Sequence, residues 1–209
     1  MSQNKANSLF TFCLGMMLSC SSPSPTSLFD GSTLTGWEGD AKTWRIENGA
    51  IVGGSLTETV PHNEFLCTLQ PYSNFKLTLK YKLETGGGFT NAGVQFRSVR
   101  ATEPAYEMIG YQADIGNGYF GSLYDESRRD MVLAGIDSLA GVQLFKPNDW
   151  NDYQIIAEGK RIQISLNGIQ TVDYIETDDA IPQTGLIGLQ VHGGGKVKVS
   201  YKDIELTEL

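Results

Sequence analysis

A chain of 209 residues, 40% hydrophobic and 19% charged, has globular composition and enough length for one well-buried domain. Its 16 Lys and Arg against 24 Asp and Glu leave a net charge of −8, which gives no footprint for a phosphate backbone and excludes nucleic acid as an expected partner. The 24 glycines against 7 prolines point to many tight turns rather than a disordered tract.

In chain order, the first segment reads separately from the rest. Lys5 is the only charged residue before Asp30, and the run from Leu9 to Ser19 is mostly apolar and too short to span a bilayer. Met17-Leu18-Ser19-Cys20 resembles a bacterial lipobox, and Ser21 to Ser27 is a polar Ser/Pro tether. The expected organisation is a leader over 1–19, lipidation at Cys20, a tether over 20–27 and one domain over 28–209. Export follows from this, with contact to a membrane only through the anchor, on the periplasmic or cell-surface side. With Cys13 in the leader and Cys20 lipidated, Cys67 has no disulfide partner and reads as a small buried hydrophobe.

From Leu28 onward the hydrophobic period is two. Phe75, Leu77, Leu79, Tyr81 and Leu83 face one way, while Lys76, Thr78, Lys80 and Lys82 face the other, as in an antiparallel strand with one solvated face. Other expected strands are 44–52, 64–69, 93–99, 110–115, 122–126, 153–158, 186–192 and 197–206. Ile162, Ile164 and Leu166 lead into Asn167-Gly168, a strong hairpin signal because a type I′ turn needs positive φ at both central residues. Gly86-Gly87-Gly88 reads as a turn, and only 128–145 is ambiguous. Many short strands with Gly-rich turns predict an all-β antiparallel sandwich or jelly roll.

Several strands carry polar residues at spacing two, which places each set on one face. The sets are Gln95 with Arg97, Gln112 with Asp114, Gln190 with His192, and Ser122 with Tyr124 and Glu126. Solvated outer faces would account for any one of them. The outer face of 74–83, however, is made of Lys and Thr, whereas these sets hold groups that hydrogen-bond hydroxyls in fixed directions. If the strands are neighbours, they line one surface suited to a polyhydroxylated ligand. Other chemistries are absent from the sequence: His62 and His192 have no zinc spacing, and there is no Gly-x-Ser-x-Gly elbow or phosphate-binding Gly-x-x-x-x-Gly-Lys loop. Nor does any strand carry the alternating Glu-x-Asp-x-Glu of a jelly-roll glucanase.

Seven segments in order carry a family resemblance. They are Leu28–Trp37 (LFDGSTLTGW), Trp44–Gly53 (WRIENGAIVG), Asn91–Ser98 (NAGVQFRS), Gly110–Gly116 (GYQADIG) running into Gly121–Glu126 (GSLYDE), Asp149–Tyr153 (DWNDY), Gly188–His192 (GLQVH) and Asp203-Ile204. On these the sequence resembles the 3-keto-disaccharide hydrolase domain family (DUF1080), over essentially all of 28–209. Ala92 stands where Ser is common, and 101–108 is loop-like. The resemblance implies a concanavalin-like sandwich acting on an oxidised sugar.

A 3-keto sugar has an acidified C2 proton; its removal gives an enolate that expels the glycosidic oxygen at C1, and water then adds back. Such chemistry needs a base near C2, a stabiliser for the C3 oxyanion and an acid for the leaving group. The expected base is Asp114 or His192, and Arg97 is expected to hold the enolate oxygen. Glu126 is either the acid or, with Asp114, a ligand for a divalent cation. Gln95, Gln112, Tyr124 and Gln190 would orient hydroxyls, and Trp44 or Trp150 would stack on a sugar face. Arg128 and Arg129 read as loop residues or carboxylate partners, and His62 as structural or exposed. The chemistry also implies a separate 3-dehydrogenase that supplies the keto sugar. The alternative is a lectin-like carbohydrate-binding module without catalysis, because a fold does not fix a function.

Overall fold

The computed structural model describes residues 24–209. The expected leader and the lipidation site Cys20 lie outside the described residues. Fifteen strands and one short helix follow one another among the described residues. The strands are β1 (Thr26–Ser27), β2 (Trp37–Glu38), β3 (Trp44–Glu47), β4 (Ala50–Gly54), β5 (Glu64–Thr68), β6 (Phe75–Gly88), β7 (Asn91–Arg100), β8 (Met108–Gly116), β9 (Leu123–Glu126) and β10 (Met131–Ala134). After helix α1 (Ser138–Leu144) come β11 (Asn151–Glu158), β12 (Arg161–Leu166), β13 (Ile169–Ile175), β14 (Leu186–Val191) and β15 (Gly195–Glu208).

They form two antiparallel sheets. One runs β13-β12-β11-β6-β15-β4-β3, with β1 added alongside β15; the other runs β10-β9-β8-β7-β14-β5-β2. The alternation in β6 puts Phe75, Leu77, Leu79, Tyr81 and Leu83 into the space between the sheets, where Phe75 meets Phe96 of β7 edge-on at 6.3 Å. The all-β sandwich expected from the period-two pattern is the fold observed.

Three local expectations are corrected and one ambiguity is resolved. The segment 44–52 is a hairpin, not one strand: Asn48 and Gly49 both take positive φ (51° and 73°), the same turn chemistry as at Asn167-Gly168. Gly86-Gly87-Gly88 is the bulged end of β6, paired with β15, rather than a turn. Within the expected tether, Thr26 and Ser27 pair with Leu206 and Glu205; both are exposed, so no apolar alternation could mark them. The ambiguous stretch divides into β10 and α1, the helix starting where the Asp137 side chain accepts from the Leu139 N–H.

A buried ion network ties the two sheets at one end. Tyr111 of β8 donates its hydroxyl to Glu176 at 2.5 Å, and Arg129 bonds Glu176 at 2.7 Å while also pairing with buried Asp125 of β9. Arg128 joins it through Asp125 and lies over the Tyr111 ring. Both arginines thus serve as carboxylate partners.

Candidate active site

The outer faces of the two sheets differ in kind. On β6 the outward side chains are lysines and threonines open to water. On β7, β8 and β14 the outward side chains are buried even though no sheet covers them: Gln95 and Gln190 are 0% exposed, Gln112 2%, Asp114 4% and Asn91 4%. A solvated-face explanation for these sets therefore fails.

Register shows how the burial arises. Gln95 pairs with Gln112, Gln112 with Tyr124, Gly93 with both Asp114 and Gln190, and Gly110 with Glu126. The side chains lie flat and bond one another along the sheet: Ser98 donates to Gln95 Oε1 at 2.7 Å, and Gln95 donates to Gln112 Oε1 at 3.3 Å. Gly93 permits this, because a Cβ there would stand 2.5 Å from the Gln112 side-chain carbon. Farther across, Phe65, Cys67 and Met108 form a small apolar cluster on the same face, with Cys67 and Met108 sulfurs 3.3 Å apart. Burial pushes the Cys67 thiol up to about 12, consistent with its reading as a small hydrophobe.

At the end of this face, where β7 begins and β8 and β14 finish, the side chains open into a recess of about 130 Å³. It is lined by Phe89, Asn91, Gln112, Asp114, Tyr119, Tyr124, Glu126 and His192. Asp114, Glu126 and His192 are thus brought together, with Gln112 and Tyr124 between them. Gln190 lies in the same face beside Glu126.

Asp114 Oδ1 accepts from Asn91 Nδ2 at 2.9 Å and from the Ile115 N–H at 3.0 Å. Burial outweighs these donors and raises its carboxyl to about 7. Glu126 is also raised to about 7, first by burial, then by the charges of Glu107, Asp114 and Asp130, with the Gln190 amide pulling the other way. The His192 ring stands edge-to-face on Phe89 at 4.7 Å. Its Nδ1 lies 2.7 Å from the Gly193 carbonyl, which can only accept, so Nδ1 carries a proton and in the neutral ring Nε2 holds the lone pair.

Three expected site residues lie elsewhere. Arg97 takes φ 48° at a β-bulge where the pairing of β7 with β8 slips between Phe96 and Val99. The extra residue reverses the alternation, so Ser98 takes the face that spacing assigned to Arg97. Its guanidinium instead bonds the Ser73 carbonyl (2.8 Å), the Gly159 carbonyl (2.7 Å), Gln183 (2.5 Å) and Asn74 (3.2 Å), stapling β7 to the turns of the opposite sheet. It does not reach the recess to hold an oxyanion. Trp44 is 2% exposed in the core and tilts against Tyr201, because it belongs to the inward set of β3. Trp150 is on the outer face of the other sheet, with the Lys202 ammonium 4.4 Å over its ring. Neither tryptophan can stack on a sugar in this recess.

Spacing alone also missed contributors. Asn91 continues the outward set of Gly93 and Gln95 by two residues, and the same alternation would have found it. Phe89, Tyr119 and Glu107 come from connections, where no periodicity points to them. The cation expected at Asp114 and Glu126 meets no ready-made ligand set: among the described residues, no three His, Cys, Asp or Glu side chains gather as metal ligands.

The fold is an all-β antiparallel sandwich with a polar recess on one outer face. The chain belongs to the family described as the 3-keto-alpha-glucoside-1,2-lyase-like domain, whose model matches residues 24–207. Among solved structures it is similar to a "putative glycosyl hydrolase" from Parabacteroides distasonis ATCC 8503, with TM-score 0.65 and 21% identity over 88% of this chain and 94% of that one. It is also similar to the carbohydrate binding module CBM66 from Bacillus subtilis, with TM-score 0.64 and 18% identity over 83% and 96%. A third likeness is to the Bacillus licheniformis beta-glucanase, with TM-score 0.55 and 11% identity over 91% and 100%. At these identities the structural likenesses establish the sandwich alone. No curated protein matches the sequence.

Proposed function

We propose that the recess cleaves 3-keto-glycosides by elimination and hydration. The observation that carries this reading is the pairing, in one recess, of carboxyls held protonated to about 7 with a histidine whose Nε2 lone pair is free. His192 Nε2 takes the C2 proton, made acidic by the C3 carbonyl. The electron pair forms the C1–C2 double bond, the C1–oxygen bond breaks, and Glu126 gives its proton to the leaving oxygen. Water then adds across the double bond, its hydroxyl to C1 and a proton to C2, so the net change is hydrolysis. The C3 oxyanion is met by neutral donors, the Gln112 amide and the Tyr124 hydroxyl, in place of the arginine expected from sequence.

Unmet hydrogen-bonding capacity supports a polyhydroxylated ligand here. Asn91 Oδ1, on a side chain that lines the recess, is buried without a partner. The substrate is the product of a separate enzyme that oxidises the 3-hydroxyl of a glycoside. We further propose export and anchoring at Cys20. β1 pairs with the far end of β15, while Gly195 at its near end adjoins Phe89 of the recess.

The test is product formation from 3-keto-trehalose and from unoxidised trehalose, with and without a chelator. Cleavage of the keto sugar alone supports the elimination route, and loss with chelator would give a cation a part in it. Binding of either sugar without cleavage, in folded protein resupplied with divalent cations, would favour the non-catalytic module.

A further inference from the structure

Outside the recess, the structure contains a chain of hydrogen bonds that ends on His192. The His192 Nδ1–H donates to the Gly193 carbonyl at 2.7 Å, and the Gly193 N–H donates to Asn63 Oδ1 at 3.1 Å. Asn63 Nδ2 in turn donates to Glu107 Oε1 at 2.8 Å. Three separate elements meet here: the connection before β5, the residue leading into β8, and the loop after β14. The contact is close, since a Cβ on Gly193 would stand 2.5 Å from His62 Cα, so only glycine lets the two loops approach.

Each link has one workable polarity. Asn63 can present its oxygen to the Gly193 N–H only if its NH2 finds an acceptor on the other side, and the Glu107 carboxylate is an acceptor whenever ionised. Glu107 therefore sets the direction of the Asn63 amide. The amide holds the Gly193 N–H, and the Gly193 carbonyl, across its Cα in the next peptide unit, accepts the proton of His192 Nδ1. The second Glu107 oxygen is buried without a partner, which is a costly arrangement for a group with no task. His62, stacked on Tyr106 at 3.9 Å, packs beside the chain without belonging to it.

We infer that Asn63 and Glu107 are positioning residues that fix the tautomer and direction of His192 through the backbone of Gly193. The inference rests on the reading of the recess as a catalytic site for its effect on rate, but its structural content stands apart from that reading. Without the network, Nδ1 has no fixed acceptor, and the proton redistributes towards Nε2, the atom that must be free to act as a base.

The full chain has only two histidines, so nitrogen-15 imidazole spectra resolve the His192 tautomer directly. Asn63→Ala, which removes the acceptor, and Asn63→Asp, whose carboxylate is repelled from its place by Glu107, are each expected to lose the Nδ1–H form and to lower kcat on 3-keto-trehalose at least tenfold, with KM little changed. The exchange N63D/E107Q rebuilds the chain with its lower bond reversed: the new carboxylate accepts from Gly193, and the new amide at position 107 donates to it. It is expected to restore both the tautomer and kcat. An unchanged tautomer in folded Asn63→Asp would overturn the inference, as would single variants that are impaired and an exchange that recovers nothing. If the unaltered chain does not cleave 3-keto-trehalose, the proposed function falls, and the tautomer measurement alone decides the positioning role.

Discussion

Buried Asp114 and half-buried Glu126 hold their protons to about 7, well above their ordinary values of 3.8 and 4.5. A folded state that binds protons more tightly than the unfolded chain has this contribution in full below the ordinary carboxyl range and loses it as pH rises through about 7. Thermal stability should therefore decline on the alkaline side, and Asp114→Asn, which still accepts from Asn91, should flatten that decline in a Tm-against-pH series. In the proposed mechanism, turnover should fall over the same range as Glu126 loses the proton assigned to the leaving oxygen. Glu107→Gln removes the charge that most favours that proton, so the alkaline limb of kcat against pH should move to lower pH. His192→Ala and Glu126→Gln should each lower kcat by about 10² or more. Arg97→Ala should behave differently: its donors bond the protein, so it should cost about 2–4 kcal/mol of stability by denaturant titration while folded enzyme keeps its kcat.

At the scale of the element, the site depends on how flat β7, β8 and β14 can lie against their own side chains. Gly93 lets Gln112 lie over the backbone and reach Gln95; Gly93→Ala should push Gln112 out of that bond and raise KM for the keto sugar more than it lowers stability. Most elements were legible from the sequence, because alternation reports which residues of a strand share a face. Gln112, Asp114, Tyr124, Glu126 and His192 came from that rule and met in one recess. Arg97 did not, since a single bulge reverses the rule beyond it and leaves no trace in residue type. Trp44 escaped for a related reason: an aromatic residue reads alike whether its strand turns it inward or outward.

Across the whole molecule, the sheets are joined by the Tyr111–Glu176–Arg129–Asp125 network as well as by apolar packing. Burial raises the Glu176 carboxyl, but the Arg129 guanidinium and the Tyr111 hydroxyl together outweigh it and hold the group at about 2, below its ordinary 4.5. Its contribution is complete above the ordinary value and is lost as pH falls towards 2, the opposite sign to Asp114 and Glu126. Glu176→Ala, which leaves Arg129 and Asp125 without their third partner, should cost about 3 kcal/mol at neutral pH and should shift the acid-unfolding midpoint.

The sequence by itself determined the class of fold, the faces of most strands and the family, because periodicity, turn residues and motif order are local properties of the chain. It also singled out Asp114, Glu126 and His192, whose spacing along separate strands survives folding. Tertiary structure alone decided that these three share a recess, that Arg97 staples the sheets together and that Trp44 fills the core. It alone brought Asn63 and Glu107, 44 positions apart, to the histidine loop. Register, bulges and the approach of distant loops depend on which strands lie side by side, and that is fixed only when the two sheets pack.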